Sequence, residues 1–97
     1  MINAKEELLG HIQEVGKTVE FVSIVWESKC HIALRAKGTL PTVLPFLNFE
    51  YDDGYGAQEL FGYVWFTDGS WSERDEYDGS ERWTHKSRPN YSDEVIS

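Results

Sequence analysis

Cysteine is almost missing from this chain: Cys30 stands alone, so no internal disulfide can form and the fold must be held by packing. Soft metal ligands are as scarce. His11, Cys30, His31 and His85 are the whole supply, and no CxxC, HxxxH or HExxH spacing occurs, which argues against a structural zinc site. Cys30 and His31 are adjacent in a strand-like stretch and so point to opposite faces, which excludes them as a nucleophile–base dyad. No GxSxG elbow, P-loop or dinucleotide fingerprint is present. DDGYGAQE, residues 52–59, lacks the alternating oxygen ligands and terminal Glu of an EF-hand. No apolar run nears the roughly 20 residues that a membrane helix needs. The opening MINAKEELLG is charged, without the apolar centre of a secretory signal. A soluble, cytoplasmic protein that needs no cofactor and no metal is expected.

Bases are missing from one region in particular. Residues 39–81 hold ten acids against Arg74 alone, and this segment carries essentially all of the net charge of −8. The flanks are nearly balanced. A phosphate backbone needs the opposite sign, so direct nucleic-acid binding is not expected, whereas a Lys/Arg-lined protein surface is a suitable partner. Paired carboxylates are abundant, yet a run of exposed acids gives no reason to select two for acid–base chemistry, which requires one carboxyl in an apolar pocket.

Against these absences stands an aromatic-rich composition. The 97 residues are 40% hydrophobic and include four Trp, five Tyr and five Phe, which fits one packed domain spanning 1–97 with a polar tail from about residue 89. Residues 3–16 read as a helix, with Asn3 as N-cap, Glu6 three residues on, and Gly16 at its end. Leu8, Leu9, Ile12 and Val15 fall on one face, and the helix should dock on a sheet through Leu8, Leu9 and Ile12. Residues 18–27, TVEFVSIVWE, carry apolar groups on both faces and predict a strand buried on both sides for part of its length, paired through a short turn with residues 30–37. Pro41 and Pro45 break residues 38–47 into a connector, with Pro41 able to open a helical turn. Further strands are expected at 48–52, 59–66, 70–77 and 81–87. Asp68-Gly69 and Asp78-Gly79 mark the last two hairpins. The expected fold is α+β: an N-terminal helix packed on a twisted antiparallel sheet of five or six strands, a β-meander. Trp26, Phe61, Tyr63, Trp65 and Phe66 are assigned to the core.

The candidate site is the last hairpin, SERDEYDGSERW, residues 72–83. Strand alternation puts Trp71, Glu73, Asp75 and Tyr77 on one face, and Ser72, Arg74 and Glu76 on the other. A two-residue loop sets Asp75 opposite Arg82, Arg74 opposite Trp83 and Glu76 opposite Glu81. A three-residue loop pairs Glu76 with Arg82 and Glu73 with His85. The pattern admits both registers. Two readings also stand for the acids: charges that keep an edge soluble and unaggregated, or a docking surface. The contact set of the second is Asp52, Asp53 and Tyr55 in the Gly-rich loop with Trp71, Glu73, Asp75, Glu76, Tyr77, Asp78, Glu81 and Trp83 in the hairpin.

FEYDDGYGAQELFGYVWFTDGSWSERDEYDGSERW, residues 49–83, resembles a group of small uncharacterised proteins of bacterial phages and mobile elements. The shared pattern is a Gly-Tyr-Gly loop, ELFG, an aromatic strand with DG and Trp, then EYDGSE and Trp. Arg82 stands where the pattern usually has a second aromatic. In type, the short acidic α+β chain also resembles anti-CRISPR and anti-restriction proteins. Those resemblances imply a non-enzymatic inhibitor that binds a basic groove of a host nucleic-acid-handling defence protein, such as a CRISPR effector, in the host cytoplasm. The alternative is a small intracellular accessory or ligand-binding domain whose acidic edge serves solubility.

Overall fold

The computed structural model of the chain describes residues 2–28, 31–51, 58–77 and 79–88. The chain enters through a two-residue strand, β1 (Ile2–Asn3), and turns at once into helix α1 (Ala4–Val15). Asn3 caps the helix, its Oδ1 accepting the Glu6 N–H at 3.1 Å, and the Gly16 N–H closes it on the Ile12 carbonyl at 2.9 Å. Glu6 and Glu7 sit in the first turn, where the helix dipole favours negative charge.

Five strands form the main sheet: β2 (Val19–Ser28), β3 (His31–Gly38), β5 (Leu60–Phe66), β6 (Trp71–Tyr77) and β7 (Ser80–Lys86). Their order is β3-β2-β5-β6-β7, antiparallel throughout. The helix-on-sheet α+β architecture expected from the sequence is therefore present. The segment between β3 and β5 departs from a plain meander. Pro41 lies in the first turn of a short helix, α2 (Leu40–Val43), and a 3-10 turn over Leu44–Leu47 follows. This double turn lies over the core, burying Val43 and Leu47, and brings β4 (Glu50–Tyr51) back to β1. The strand expected at 48–52 is thus half of a separate two-stranded ribbon, with Tyr51 opposite Ile2, and not a member of the sheet. Residues 52–57 of the Gly-rich loop, Cys30 and the tail after Arg88 lie outside the described residues.

One face of the sheet is sealed and the other is open. Val22 and Ile24 of β2, Leu60, Val64 and Phe66 of β5, and Trp83 of β7 pack under Ala4 and Leu8 of α1 and under Val43, Leu47 and Tyr51. Trp26 stacks on Phe49 at 4.0 Å between ring centres. Only the side carrying α1 and the connector is covered, so β2 and β5 are not buried on both faces. Phe21, Tyr63 and Trp65 stay 38%, 46% and 37% exposed, which corrects the assignment of Tyr63 and Trp65 to the core. Leu9 is 37% exposed as well, and the helix docks through Leu8 with Ile12 and Val15. Among the described residues no helix is long and apolar enough to cross a membrane.

Gly62 of β5 pairs with Ile24 of β2. A Cβ there would lie 2.4 Å from the Ser23 carbonyl oxygen, inside any tolerable contact, so the strand pairing depends on a missing side chain.

Candidate functional site

The last hairpin closes in the two-residue register. Tyr77 pairs with Ser80, Glu76 with Glu81, Asp75 with Arg82 and Arg74 with Trp83. Gly79 takes φ of +81°, the conformation that a tight hairpin turn requires and that glycine adopts freely. Its N–H donates to Glu76 Oε1 at 2.7 Å, so Glu76 folds over the turn. Asp78 lies outside the described residues.

On the face under α1, the hairpin is locked by Arg74. This only base of the acidic segment is 7% exposed. Its Nη1 donates to Glu7 Oε1 at 2.9 Å, its Nη2 to Tyr51 Oη at 2.7 Å and to Glu81 Oε1 at 3.0 Å, and its Nε to the Leu60 carbonyl at 3.4 Å. The guanidinium lies 5.6 Å from the centre of the Tyr51 ring and 5.2 Å from that of Trp83, both within cation–π range. Tyr51 in turn donates its hydroxyl to Glu7 Oε1. Burial, reinforced by that hydrogen bond to Glu7, drives the Tyr51 pKa far above its ordinary value of 10, so the phenol stays a neutral donor. Glu81 completes the network by accepting the Glu59 and Leu60 N–H groups, each at 2.9 Å, at the start of β5. Two carboxylates, a guanidinium and a phenol from α1, β4, β6 and β7 thus satisfy one another in the interior. Stranding one member would leave a buried charge without its partner.

This network removes Glu81 and Trp83 from the contact set. Glu81 is 4% and Trp83 7% exposed, and both face the core. The Arg74–Trp83 contact was legible from the register. Glu7 and Tyr51 were not, since they lie 67 and 23 residues from Arg74 and no local pattern joins them. The one clue was a single base among ten acids.

On the open face, Asp75 lies opposite Arg82, yet the cation that Glu73 and Asp75 share is Lys86. Lys86 Nζ lies 2.9 Å from Glu73 Oε1 and 3.5 Å from Asp75 Oδ2, while Arg82 lies over the Tyr77 ring at 6.0 Å. The carboxylates raise the Lys86 pKa, Glu73 most strongly. Trp71 is half-buried, its Nε1 donating to Glu73 Oε1 at 3.4 Å. Tyr77 at the turn is 71% exposed, and Glu76 beside it is exposed too. Asp52, Asp53 and Tyr55 lie outside the described residues. Of the described members of the contact set, then, Glu76 and Tyr77 are exposed, Trp71, Glu73 and Asp75 are partly covered, and Glu81 and Trp83 are buried.

The register also places acids that single-strand reasoning missed. Leu60 pairs with Trp26, and the Glu27 N–H donates to the Glu59 carbonyl at 2.7 Å. Extending the β5–β6 register from Tyr63–Glu73 brings Leu60 level with Glu76. Glu27 and Glu59, both half-buried, are therefore neighbours at the end of the sheet that carries the hairpin turn, while Glu76, level with Leu60, lies on the other face at that same end. At the opposite end Asp68 is held well below the usual carboxylate pKa, chiefly by Lys17 at 2.7 Å and then by Ser70.

Two serine–histidine pairs invite a catalytic reading. His11 Nε2 lies 2.7 Å from Ser72 Oγ, and His85 Nε2 3.1 Å from Ser70 Oγ. Ser72 is fully buried, and Ser70, 4% exposed, gives its proton to Asp68 Oδ1 at 2.5 Å. A nucleophile needs a free side for its substrate and a base to take its proton. Neither hydroxyl has that free side, Ser70 already gives its proton to Asp68, and both serve to satisfy buried polar groups. Among the described residues no three His, Cys, Asp or Glu side chains converge as metal ligands. Comparison with protein-family models, with curated proteins and with solved structures finds no match for the chain.

Proposed function

We propose that the chain is a non-enzymatic inhibitor of phage or mobile-element origin. It docks the turn end of its last hairpin into a Lys/Arg-lined groove of a host nucleic-acid-handling defence protein, of which a CRISPR effector is one example. The observation that carries this reading is the exposed hairpin turn, Glu76 with Tyr77 beside it, at the end of the sheet where Glu27 and Glu59 also lie. The carboxylates at this end would occupy positions that phosphates take, and Tyr77 would supply an apolar anchor of the kind found at interface hot spots. The Arg74–Glu81 lock beneath the turn supports it, because a rigid projection loses little entropy on docking. Exposed charge chiefly speeds the encounter, and buried contact holds the complex.

The test is association of the chain, immobilised, with purified defence nucleases presented with and without their nucleic acid. Binding to the free nuclease that weakens with salt, and that nucleic acid displaces, is expected. A bound nuclease that nucleic acid fails to displace contradicts the groove. One observation favours the alternative accessory domain with a solubility edge: Lys86 already neutralises part of the Glu73 and Asp75 charge. That reading predicts no association in the same experiment.

A further inference from the structure

We infer that the open face of the sheet is the interface of a symmetric dimer, in which a second copy of this chain covers Phe21, Tyr63 and Trp65. These rings form a stripe along the two central strands. Trp65 lies 5.7 Å from Phe21 and 5.6 Å from Tyr63 between ring centres. The rings are a third to a half exposed on a face that, among the described residues, no helix covers.

What identifies the occupant is the charge pattern on either side of the stripe. Exposed Lys37 and Arg35 of β3 flank it on one side, and Glu73 and Asp75 of β6 on the other. The registers put these groups at matching heights. Lys37 is opposite Ser23, Ser23 opposite Tyr63, and Tyr63 opposite Glu73, so Lys37 and Glu73 share one level. Arg35 is opposite Val25, Val25 opposite Phe61, and two residues along β6 from Glu73 the same level holds Asp75. A two-fold axis parallel to the strands, between β2 and β5, lays β3 over β6 of the second copy and leaves height unchanged. It sets Lys37 over Glu73 of the second copy, Arg35 over Asp75 of the second copy, and Phe21 over Trp65 of the second copy. Each contact then occurs twice, as an isologous interface requires. Face-to-face sheets pack about 10 Å apart with strands about 30° from parallel, a tolerance that long Lys and Arg side chains span. Lys86 occupies Glu73 Oε1 and Asp75 Oδ2, one oxygen of each carboxylate, and a carboxylate accepts from more than one cation.

An axis parallel to the strands has a further consequence. Both hairpin turns project from the same end of the dimer, so the two acidic ends lie side by side and not back to back. The inference concerns a different surface from the docking end, and it stands or falls independently of the partner.

The test is the molar mass of the unmodified chain by light scattering across a concentration series. Twice the 11.2 kDa chain mass is expected, falling to the monomer value in Trp65→Glu and in Lys37→Glu. Lys37 is exposed on an edge strand, so Lys37→Glu should keep the wild-type circular dichroism and melting curve. A wild-type chain that stays monomeric up to millimolar concentration overturns the inference. So does a dimer whose mass both variants leave unchanged.

Discussion

At the scale of single residues, Arg74 is where charge and packing meet. Its four hydrogen-bond acceptors come from Glu7, Tyr51, Leu60 and Glu81. Arg74→Ala leaves two carboxylates without their cation in the interior, and breaking a buried pair in this way costs about 3–5 kcal/mol. Denaturant unfolding should show that loss for Arg74→Ala. Glu76→Gln, at the exposed turn, should stay within about 0.5 kcal/mol of wild type. Equal midpoints for the two would contradict the lock. His11 supplies a pH test. Burial lowers its pKa below 6.5, with His85 and Arg74 pushing the same way and Glu14 opposing. Between the folded and unfolded values the unfolded chain binds more protons, so His11 contributes stability that is complete above about pH 6.5 and is lost as pH falls through that window. The melting temperature of His11→Gln should therefore fall less between pH 7 and pH 5 than that of wild type. A parallel fall in both would show that the His11 ring titrates normally.

At the scale of elements, the helix and the strands were largely legible, and their faces were not. Asn3, Glu6 and Gly16 mark helix ends through local hydrogen bonds, so the helix is found within a residue of its expected limits. Asp78-Gly79 likewise marks the turn, but the two registers differ only in which cross-strand pairs form, and tertiary contacts of Arg74 decide between them. Strands β2 and β5 are apolar on both faces, which in sequence signals double burial. Only the fold reveals that a single helix and one proline-bent connector cover one side. Leu9 shows the same limit within α1: it shares the apolar arc with Leu8, yet the arc is wider than the contact. Leu8→Ala should cost about 2–5 kcal/mol, while Leu9→Ala should change stability far less. A larger effect at Leu9, measured by the denaturation midpoint, would reverse the docking face. Gly62→Ala should destabilise as well, because its Cβ would press on the Ser23 carbonyl and part the two central strands.

At the scale of the whole molecule, charge position carries the functional reading. The excess of acids in residues 39–81 was plain in the sequence, but their division was not. Glu81 is consumed by the interior lock, Glu73 and Asp75 share Lys86, and Glu76 joins Glu27 and Glu59 at one end of the sheet. Bringing the three to one end requires the register of three strands, and Glu27 comes from outside the acidic segment. The most direct measurement is relief of host defence in cells. The chain would be expressed in strains with active CRISPR interference or restriction, each challenged with a targeted plasmid. Transformation should rise toward that of an untargeted plasmid in at least one system. A Glu27→Gln, Glu59→Gln, Glu76→Gln chain, folded by circular dichroism, should lose most of that relief. Full relief by the folded triple variant, or none by the wild-type chain across the panel, would contradict a docking role for the acidic end.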